Sequence, residues 1–286
     1  MDINALQAFL AVADTASFSQ AAERLFLTQP AISKRIAALE ENLGARLFDR
    51  IGRQVVLTEA GKALLPRAER IIAELEDSRR AITNLGGEVA GRLTLGTSHH
   101  IGLHRLPPIL REFTERYPRV ELDIRFMDSE EACRAVEHGD LELGIVTLPQ
   151  HPSPALAVEV VWDDPLAVIA ASGHPLVKQK KVTVAQLADH PAVLPAPGTY
   201  TREVIEQAFK PYNLQLRVTL STNYLETIKM LVSVGLGWSV LPRTMLSDEL
   251  RVLKVDHLQL SRQLGSVRHQ GRTLSNAARA MLELLK

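Results

Sequence analysis

The sequence predicts an all-α N-terminal domain with a winged helix-turn-helix, a long linker helix, and a larger α/β domain of two lobes. Three observations support this fold class. Apolar residues recur three and four positions apart through residues 3–43, which is the period of an amphipathic helix. A 3.5-residue apolar period follows over residues 64–85. From Arg92 onward, strand and helix patterns alternate, which indicates a parallel or mixed sheet covered by helices.

The composition is that of an ordinary globular protein with two or three domains. The chain has 286 residues, 46% of them hydrophobic, and its 33 basic residues balance 33 acidic ones. Binding to nucleic acid would therefore need a local arrangement of charge. The single cysteine, Cys133, excludes an intramolecular disulfide and fits a reducing compartment. Neither a secretion signal nor an apolar run of about 18 residues occurs, so we expect a cytoplasmic protein with no membrane partner.

Three short helices are predicted at the N-terminus. Apolar spacing places them over residues 3–13, 18–25 and 29–43. Thr28 is a candidate N-cap for the third helix, and Pro30 falls in its first turn, where the missing N–H costs nothing.

The third helix has one apolar and one polar face. Ile32 and Ile36 lie on the apolar face, whereas Gln29, Ser33 and Lys34 lie on the other. Such a helix after a tight turn is the helix-turn-helix arrangement, and its polar face fits the major groove of DNA. Glutamine can pair with adenine edges, and serine or lysine can reach bases or phosphates. The alternative is a small helical bundle with solvated charges.

A wing is predicted after the third helix. Residues 47–50 and 55–58 are interpreted as two short strands around a turn at Gly52, with Arg50 and Arg53 at the tip. Residues 28–53 contain five basic and three acidic residues, a net charge of +2, which supports DNA binding only modestly.

A long helix is predicted from Thr58 to Gly86, with Pro66 as its only internal proline. Its apolar seam positions alternate four and three apart: Leu64, Ala68, Ile71, Leu75, Ser78, Ile82 and Leu85. This period is typical of a coiled-coil seam, which would pair two chains. The alternative is an ordinary amphipathic helix that packs on its own chain.

The C-terminal two thirds of the chain is predicted to form the two α/β lobes. In the first lobe, strands over 92–98, 120–128 and 141–148 alternate with helices. A second lobe begins near Pro165 with the same alternation. We expect the strand and helix at the end of the chain to return to the first lobe.

The sequence motifs resemble those of a known family. The run SFSQAAERLFLTQPAISKRIAALEENLGARLFDRIGRQVVLTEAG contains TQPAxSxxI, LExxLGxxLFxR and LTxAG in order. This run resembles the DNA-binding domain of LysR-type transcriptional regulators. Further along, LPPILREFTERYPRVEL, LELGIV, ASGHPL and VSVGLGWSVLP are similar to the effector domain of that family. The resemblance covers essentially the whole chain.

The resemblance implies a sequence-specific DNA-binding transcriptional regulator whose effector domain is type 2 periplasmic-binding-protein-like. The implied domains are a winged helix-turn-helix over 1–58, a linker and dimerisation helix over 59–87, and an effector-binding domain over 92–286. In the last, lobe I covers about 92–163 and 267–286, and lobe II covers about 164–266. The implied partners are double-stranded DNA at a promoter operator, a small-molecule effector, and identical chains in a homodimer and a homotetramer.

The same resemblance implies which residues contact DNA. They are Thr28, Gln29, Pro30, Ser33, Lys34 and Arg35 in the helix-turn-helix, with Arg50 and Arg53 in the wing. Lys34 stands where arginine is common in the family, and lysine offers a point charge instead of a planar fork.

Effector contacts are predicted where strands end and helices begin, because ligands of open α/β sheets bind there. The candidates are Ser98, His99, His100, Thr199, Thr201, Arg202 and Asn223, with Thr147 as a weaker one. Hydroxyls and N–H groups at helix starts suit a carboxylate, and Arg202 could clamp one with two hydrogen bonds. The sequence shows no obvious acidic residue that would oppose these donors. We therefore expect a small anionic or carboxylate-bearing metabolite between the lobes. The alternative is that these residues are only helix N-caps.

Other functions find less support in the sequence. His100 and His104 lie one helical turn apart, but no nearby residue completes a metal site of usual spacing, so neither metal nor cofactor is expected. Cys133 is interpreted as a buried, inert thiol. No catalytic motif occurs, so an enzyme is not expected. The main alternative is a small-molecule binding protein of the bilobed transport-receptor type with no transcriptional role, which the N-terminal domain argues against.

Overall fold

The structure is a computed structural model that describes residues 2–51 and 54–286, with the backbone only at 50, 51, 54 and 83. The chain forms two compact units, one that ends at Gly86 and one that runs from Gly87 to Lys286. Two predictions therefore lie outside the described residues: the wing residue Arg53 with its turn at Gly52, and the side chain of Arg50. Within the described ranges, no helix combines the length and apolar character needed to cross a membrane.

The first unit begins with three helices around a shared core. These helices are α1, Ile3–Thr15; α2, Phe18–Arg24; and α3, Gln29–Leu43. Phe9 of α1 and Ile32 of α3 are fully buried in this core. The hydroxyl of Ser17 accepts a hydrogen bond from the first turn of α2 and so caps it. Gly44 ends α3 with a φ of 66°, a left-handed conformation that glycine adopts without strain.

A hairpin and a long helix complete the first unit. They are β1, Phe48–Ile51; β2, Gln54–Leu57; and α4, Glu59–Asn84. The carboxylate of Glu40 accepts a hydrogen bond from the Leu47 N–H at 2.7 Å and joins α3 to the hairpin. In α4, Ala68 is buried against the core, whereas Ile71, Ile82 and the following Leu85 are exposed.

The second unit is built on a seven-stranded mixed sheet and a two-stranded sheet. The strands are β3, Gly91–Thr97; β4, Val120–Phe126; β5, Leu143–Thr147; β6, Leu156–Ala171; β7, Ala192–Leu194; β8, Val218–Ser221; β9, Ser239–Pro242; β10, Leu250–Val252; and β11, Ser261–His269. The larger sheet has the order β10-β6-β11-β5-β3-β4, with β9 also paired to β6, and β7 and β8 form the smaller one. β3 runs parallel to β4 and β5, whereas β11 is antiparallel to β5 and β6.

The helices of the second unit cover these sheets. They are α5, His99–His104; α6, Leu106–Arg116; α7, Ser129–His138; α8, Val184–Asp189; α9, Tyr200–Phe209; α10, Leu225–Ser233; and α11, Asn276–Leu284. α6 and α11 bury Phe113 and Met281 on one face of the large sheet, and α7 buries Val136 on the other. A separate core surrounds the fully buried Trp238.

The long strand β6 runs through both halves of the second unit. Residues 156–165 of β6 pair with β11, whereas residues 166–171 pair with β9 and β10. β11 then pairs with β5 on its other side. From here on, lobe I denotes residues 91–165 and 261–286, and lobe II denotes residues 166–260.

Most helices and strands lie where the sequence pattern predicts them, in agreement with the predicted fold class. The sequence pattern predicts one helix over 103–118. The structure instead ends α5 at His104 and begins α6 at Leu106, because Pro107 and Pro108 fit a first turn but cannot donate the N–H bonds of a helix interior. β6 begins at Leu156 and not near Pro165, because its first half is held by pairing with β11, about a hundred residues away.

Candidate functional site

The ends of β3, β4 and β5 and the starts of α9 and α10 surround a cavity between the lobes of the second unit. The space that it encloses is about 50 Å³, within an empty volume of about 470 Å³ that includes the open mouth. It is lined from lobe I by Ser98, His99, His100, Asp128, Ser129, Glu130, Thr147 and Arg262. It is lined from lobe II by Pro195, Thr199, Thr201, Asn223 and Leu225. Seven of the eight predicted effector residues therefore share one cavity, and the eighth, Arg202, does not line it.

The lobe I wall presents two hydroxyl side chains at helix starts. Ser98 is the N-cap of α5, but its side chain makes no capping hydrogen bond. Ser129 begins α7, and its Oγ accepts a hydrogen bond from the Thr147 N–H at 3.1 Å, which fixes α7 against the end of β5. Thr147 itself is buried.

The two histidines of this wall differ in environment. His99 packs against Phe126 and Tyr224, with ring centroids 5.3 and 4.9 Å away. His100 is buried, and neither of its ring nitrogens has a hydrogen-bond partner among the described residues. Burial, with a smaller contribution from the Arg262 cation, lowers the pKa of His100 to about 3, so its ring is neutral at neutral pH.

Arg262 is the cation of the cavity wall. Its Nε donates to Asp164 Oδ2 at 2.8 Å, and its Nη1 donates to Thr201 Oγ1 at 2.6 Å. Asp164 is fully buried, and Arg105 lies 3.6 Å from its other oxygen. The remaining nitrogen of Arg262, Nη2, is buried and has no partner within the described part of the chain. The guanidinium therefore keeps one pair of N–H donors without an acceptor among the described residues.

Arg202 is engaged elsewhere. Its Nε donates to Glu206 Oε1 at 2.7 Å, and its Nη1 donates to the Pro195 carbonyl oxygen at 3.1 Å. These bonds hold the guanidinium against α9 and the loop before it. The structure does not bring Arg202 to the cavity, and the cation there is Arg262.

The expectation that no acidic residue faces the cavity is wrong, because Asp128 and Glu130 line it. Both are bonded to lobe II. Asp128 Oδ2 accepts a hydrogen bond from Asn223 Nδ2 at 2.6 Å, and Glu130 Oε1 accepts one from the Tyr200 N–H. Burial raises the pKa of Glu130 above its ordinary value, although the bond from Tyr200 opposes the rise.

The sequence pattern could have predicted some of the cavity residues that are absent from the list of candidates. Asp128, Ser129 and Glu130 follow β4 at the start of a helix, so the rule that selected Ser98 also applies to them. Arg262 gave no such signal. It lies within a strand, and only the pairing of β6 with β11 places it next to Asp164.

The predicted DNA-contacting residues lie at the start of α3. Thr28, Gln29, Pro30 and Lys34 are exposed, and Ser33 and Arg35 are half-buried. The hydroxyl of Thr28 makes no capping hydrogen bond, although the residue is the N-cap of α3. Gln29 Nε2 donates to Ser33 Oγ at 2.9 Å, so the two side chains form one polar patch.

Comparison with known proteins agrees with this architecture. The pattern described as "Bacterial regulatory helix-turn-helix protein, lysR family" matches residues 3–62, and "LysR substrate binding domain" matches residues 86–286. The chain is 34% identical over 286 residues to the transcriptional regulator CbbR of Rhodospirillum rubrum, covering 98% of this chain and 94% of that one.

Solved structures show the same fold. A full-length OxyR variant from Pseudomonas aeruginosa superposes with a TM-score of 0.71 at 22% identity, covering 100% of this chain and 94% of that one. The regulatory domain of CcmR from Synechocystis, in complex with 2-PG, superposes with a TM-score of 0.62 at 28% identity. That match covers 68% of this chain and 95% of the CcmR chain.

A helix-turn-helix unit and an α/β unit with a cavity between its lobes together define a transcriptional regulator with an effector-binding domain. The chain belongs to the LysR family of transcriptional regulators, because the two family patterns cover nearly all of it and full-length relatives align from end to end.

Proposed function

We propose that the cavity binds a small anionic or carboxylate-bearing metabolite and that this ligand controls DNA binding. The observation that carries the proposal is that Arg262, the arginine that lines the cavity, has a buried Nη2 without a hydrogen-bond partner among the described residues. A buried guanidinium N–H without an acceptor is costly, and a carboxylate oxygen would supply the acceptor as a charge-assisted hydrogen bond.

The other cavity residues complete a donor set for such a ligand. Thr201 Oγ1 already accepts from Arg262, so its own O–H is free to donate to a bound oxygen. The hydroxyl of Ser98, left unused by α5, faces the same space from lobe I. Thr147, Thr199, Asn223, His99 and His100 would surround the remainder of the ligand. In this proposal the arginine that binds the carboxylate is Arg262 and not Arg202.

The two acidic residues are compatible with an anion because one oxygen of each is already bonded to lobe II. Asp128 and Glu130 accept hydrogen bonds from lobe II and would hold the lobes together around the ligand. The CcmR regulatory domain, which is bound to 2-PG, supports a small ligand in a related domain.

A thermal-shift screen of organic acids tests this proposal, because a ligand of the folded state raises the melting temperature. We expect carboxylates to raise it, and Ser98→Ala and Arg262→Lys to reduce the shift. Arg125→Ala, which removes an exposed arginine on β4, is the control and should keep the full shift. A screen in which only cations or neutral compounds act, or in which Ser98→Ala and Arg262→Lys respond as the parent does, contradicts the proposal.

We further propose that the start of α3 reads double-stranded DNA. The proposed contacts are Thr28, Gln29, Pro30, Ser33, Lys34 and Arg35, with Arg50 and Arg53 from the wing. The exposed patch of Gln29 and Ser33 supports a role in contacting base edges. A gel-shift on promoter DNA with and without ligands from the thermal screen would connect the two units.

The exposed apolar residues of α4 support a homodimer. Ile71, Ile82 and Leu85 continue the predicted seam, yet 39%, 71% and 85% of their surfaces are exposed in the single chain. A second copy of α4 would bury them, and two half-sites on DNA require two recognition helices. The same proposal includes tetramer formation through the effector-binding domain and a cytoplasmic location. It also includes the division of the chain into domains over 1–58, 59–87 and 92–286.

A further inference from the structure

Three side chains able to bind metal meet where α5 of lobe I faces α10 of lobe II. His100 and His104 are one turn apart on α5, and Glu226 lies in the first turn of α10. A ring nitrogen from each histidine and a carboxylate oxygen of Glu226 all lie within 4.8 Å of one another. Glu226 is 122 residues from His104, so the sequence offered no sign that it completes the set.

The hydrogen bonds of this cluster leave His100 unexplained. His104 Nε2 and Glu226 Oε1 are 2.8 Å apart and form a bond between the lobes. His100 lies against His104, with the two ring centroids 5.0 Å apart, but its ring nitrogens make no hydrogen bond within the described residues. Buried polar atoms without partners are rare in folded proteins. A metal ion would give one of these nitrogens a partner.

The donors suit one class of metal. Two imidazole nitrogens and one carboxylate oxygen form a protein ligand set for Zn²⁺, with a fourth position left for water or a ligand. Two atoms bound to one tetrahedral zinc lie about 3.3 Å apart, given bonds of about 2.0 Å. Small rotations of His104 and Glu226 would reach that spacing, and both side chains have freedom to move because they are 46% and 40% exposed. Mg²⁺ and Ca²⁺ prefer all-oxygen sites and are poorly matched.

The charges around the cluster are nearly balanced. Arg262 and Arg105 are the cations nearest to His100, and both lie against the buried carboxylate of Asp164. Glu226 contributes a negative charge at the cluster itself.

We propose that His100, His104 and Glu226 bind a divalent transition-metal ion, Zn²⁺ above all, that ties lobe I to lobe II. The ion would replace the direct bond between His104 and Glu226 with a coordinated bridge. Since His100 also lines the cavity, the bridge would form part of its wall. The site therefore couples metal occupancy to closure of the lobes.

Metal titration of the untagged full-length chain, after treatment with a chelator, tests the site. Zn²⁺ affinity is measured by competition with a chromophoric chelator, and Co²⁺ is added separately for its visible spectrum. We expect one tight equivalent per chain, a Co²⁺ spectrum of low coordination number, and a higher melting temperature with metal. His104→Ala and Glu226→Gln should each weaken binding by at least about 100-fold, because loss of a direct ligand exceeds the cost of losing an outer-shell partner.

His151→Ala is the matched control, since His151 is exposed and lies away from the cluster. It should bind metal as the parent chain does. Circular dichroism checks that the variants fold. We expect them to fold because the side chains of His104 and Glu226 are partly exposed. The proposal is overturned by a chain that binds no stoichiometric Zn²⁺, or by His104→Ala and Glu226→Gln variants that bind it as tightly as the parent.

Discussion

Asn223 joins the two lobes across the cavity by a hydrogen bond to Asp128. Its Nδ2 donates to Asp128 Oδ2 at 2.6 Å, while its Oδ1 accepts from the Ala196 N–H at 3.1 Å. The side-chain amide thus uses both ends, one to hold the loop after β7 and one to reach lobe I. This bond holds the lobes in their present arrangement together with two others. In one the Tyr200 N–H donates to Glu130, and the other joins His104 and Glu226.

A double-mutant cycle should measure this contact. Asn223→Ala and Asp128→Ala remove it from either side, and urea unfolding of the two single variants and the double variant gives the coupling energy. We expect about 0.5–1 kcal/mol, because the bond is charge-assisted but solvent-exposed. Gln179→Ala, an exposed change elsewhere in lobe II, is the control and should show no coupling to Asp128→Ala. A coupling near zero for the Asn223 pair would show that the contact contributes nothing to stability.

Glu130 should destabilise the protein when it is ionised. Burial raises its pKa above the ordinary value of 4.5, so folding favours the protonated carboxyl. Its stabilising contribution is complete below about pH 4.5 and is lost as the pH rises through the folded-state pKa. Glu130→Gln, which can still accept the Tyr200 N–H, should therefore melt higher than the parent at neutral pH and match it near pH 4.

Glu131→Gln is the control for this comparison, because Glu131 is the exposed neighbour on the same helix. Its melting temperature should follow that of the parent across the same pH range. If Glu130→Gln melts below the parent at neutral pH, the carboxylate is worth more as a hydrogen-bond acceptor than its burial costs.

Changes on the polar face of α3 should weaken specific DNA binding. Gln29→Ala or Ser33→Ala should cost about 1–3 kcal/mol in a footprinting or gel-shift titration while the fold is retained. Arg53→Ala should weaken binding to specific and random DNA alike and flatten the salt dependence. Lys62→Ala, an exposed change on α4, is a control. Unchanged footprints in all three α3 and wing variants would refute this interface.

A charge on the apolar seam of α4 should separate the proposed dimer. Ile71→Asp places a carboxylate where a second chain would pack, whereas Arg70→Asp places one at the neighbouring, non-seam position. Sedimentation at micromolar concentration should show the parent and Arg70→Asp as dimers or larger and Ile71→Asp as a monomer. A monomeric parent chain, or an unchanged mass for Ile71→Asp, would rule out the seam.

Cys133 should react slowly with thiol reagents. The residue is buried, and burial raises the pKa of its thiol to about 11, so the reactive thiolate is scarce at pH 8. The native chain should be modified far more slowly than free cysteine, and unfolding in urea should restore the rate. Rapid modification of the native chain would contradict the buried, inert assignment.

Local pattern was enough to predict most of the fold and much of the candidate site. Helix periods depend on residues within four positions of each other, as do the cap at Ser17 and the end of α3 at Gly44 in the structure. The rule that polar residues gather where strands end selected Ser98 and Asn223 from the sequence. The structure places both at one cavity. Each strand end is a local feature, but β3 and β8 lie in different sheets, so the packing of the lobes decides that their ends meet at one cavity.

By itself, then, the sequence determined the two-unit organisation, the helix-turn-helix, the lobed α/β fold and the region of the cavity. Only the tertiary structure decided which side chains face one another. It turned Arg202 towards Glu206 and set Arg262 at the cavity, because β6 and β11 pair across 98 positions to bring Asp164 to Arg262. It likewise brought Glu226 to His100 and His104. Local preferences reach only a few residues along the chain, whereas these partners depend on strand order and on how the lobes close.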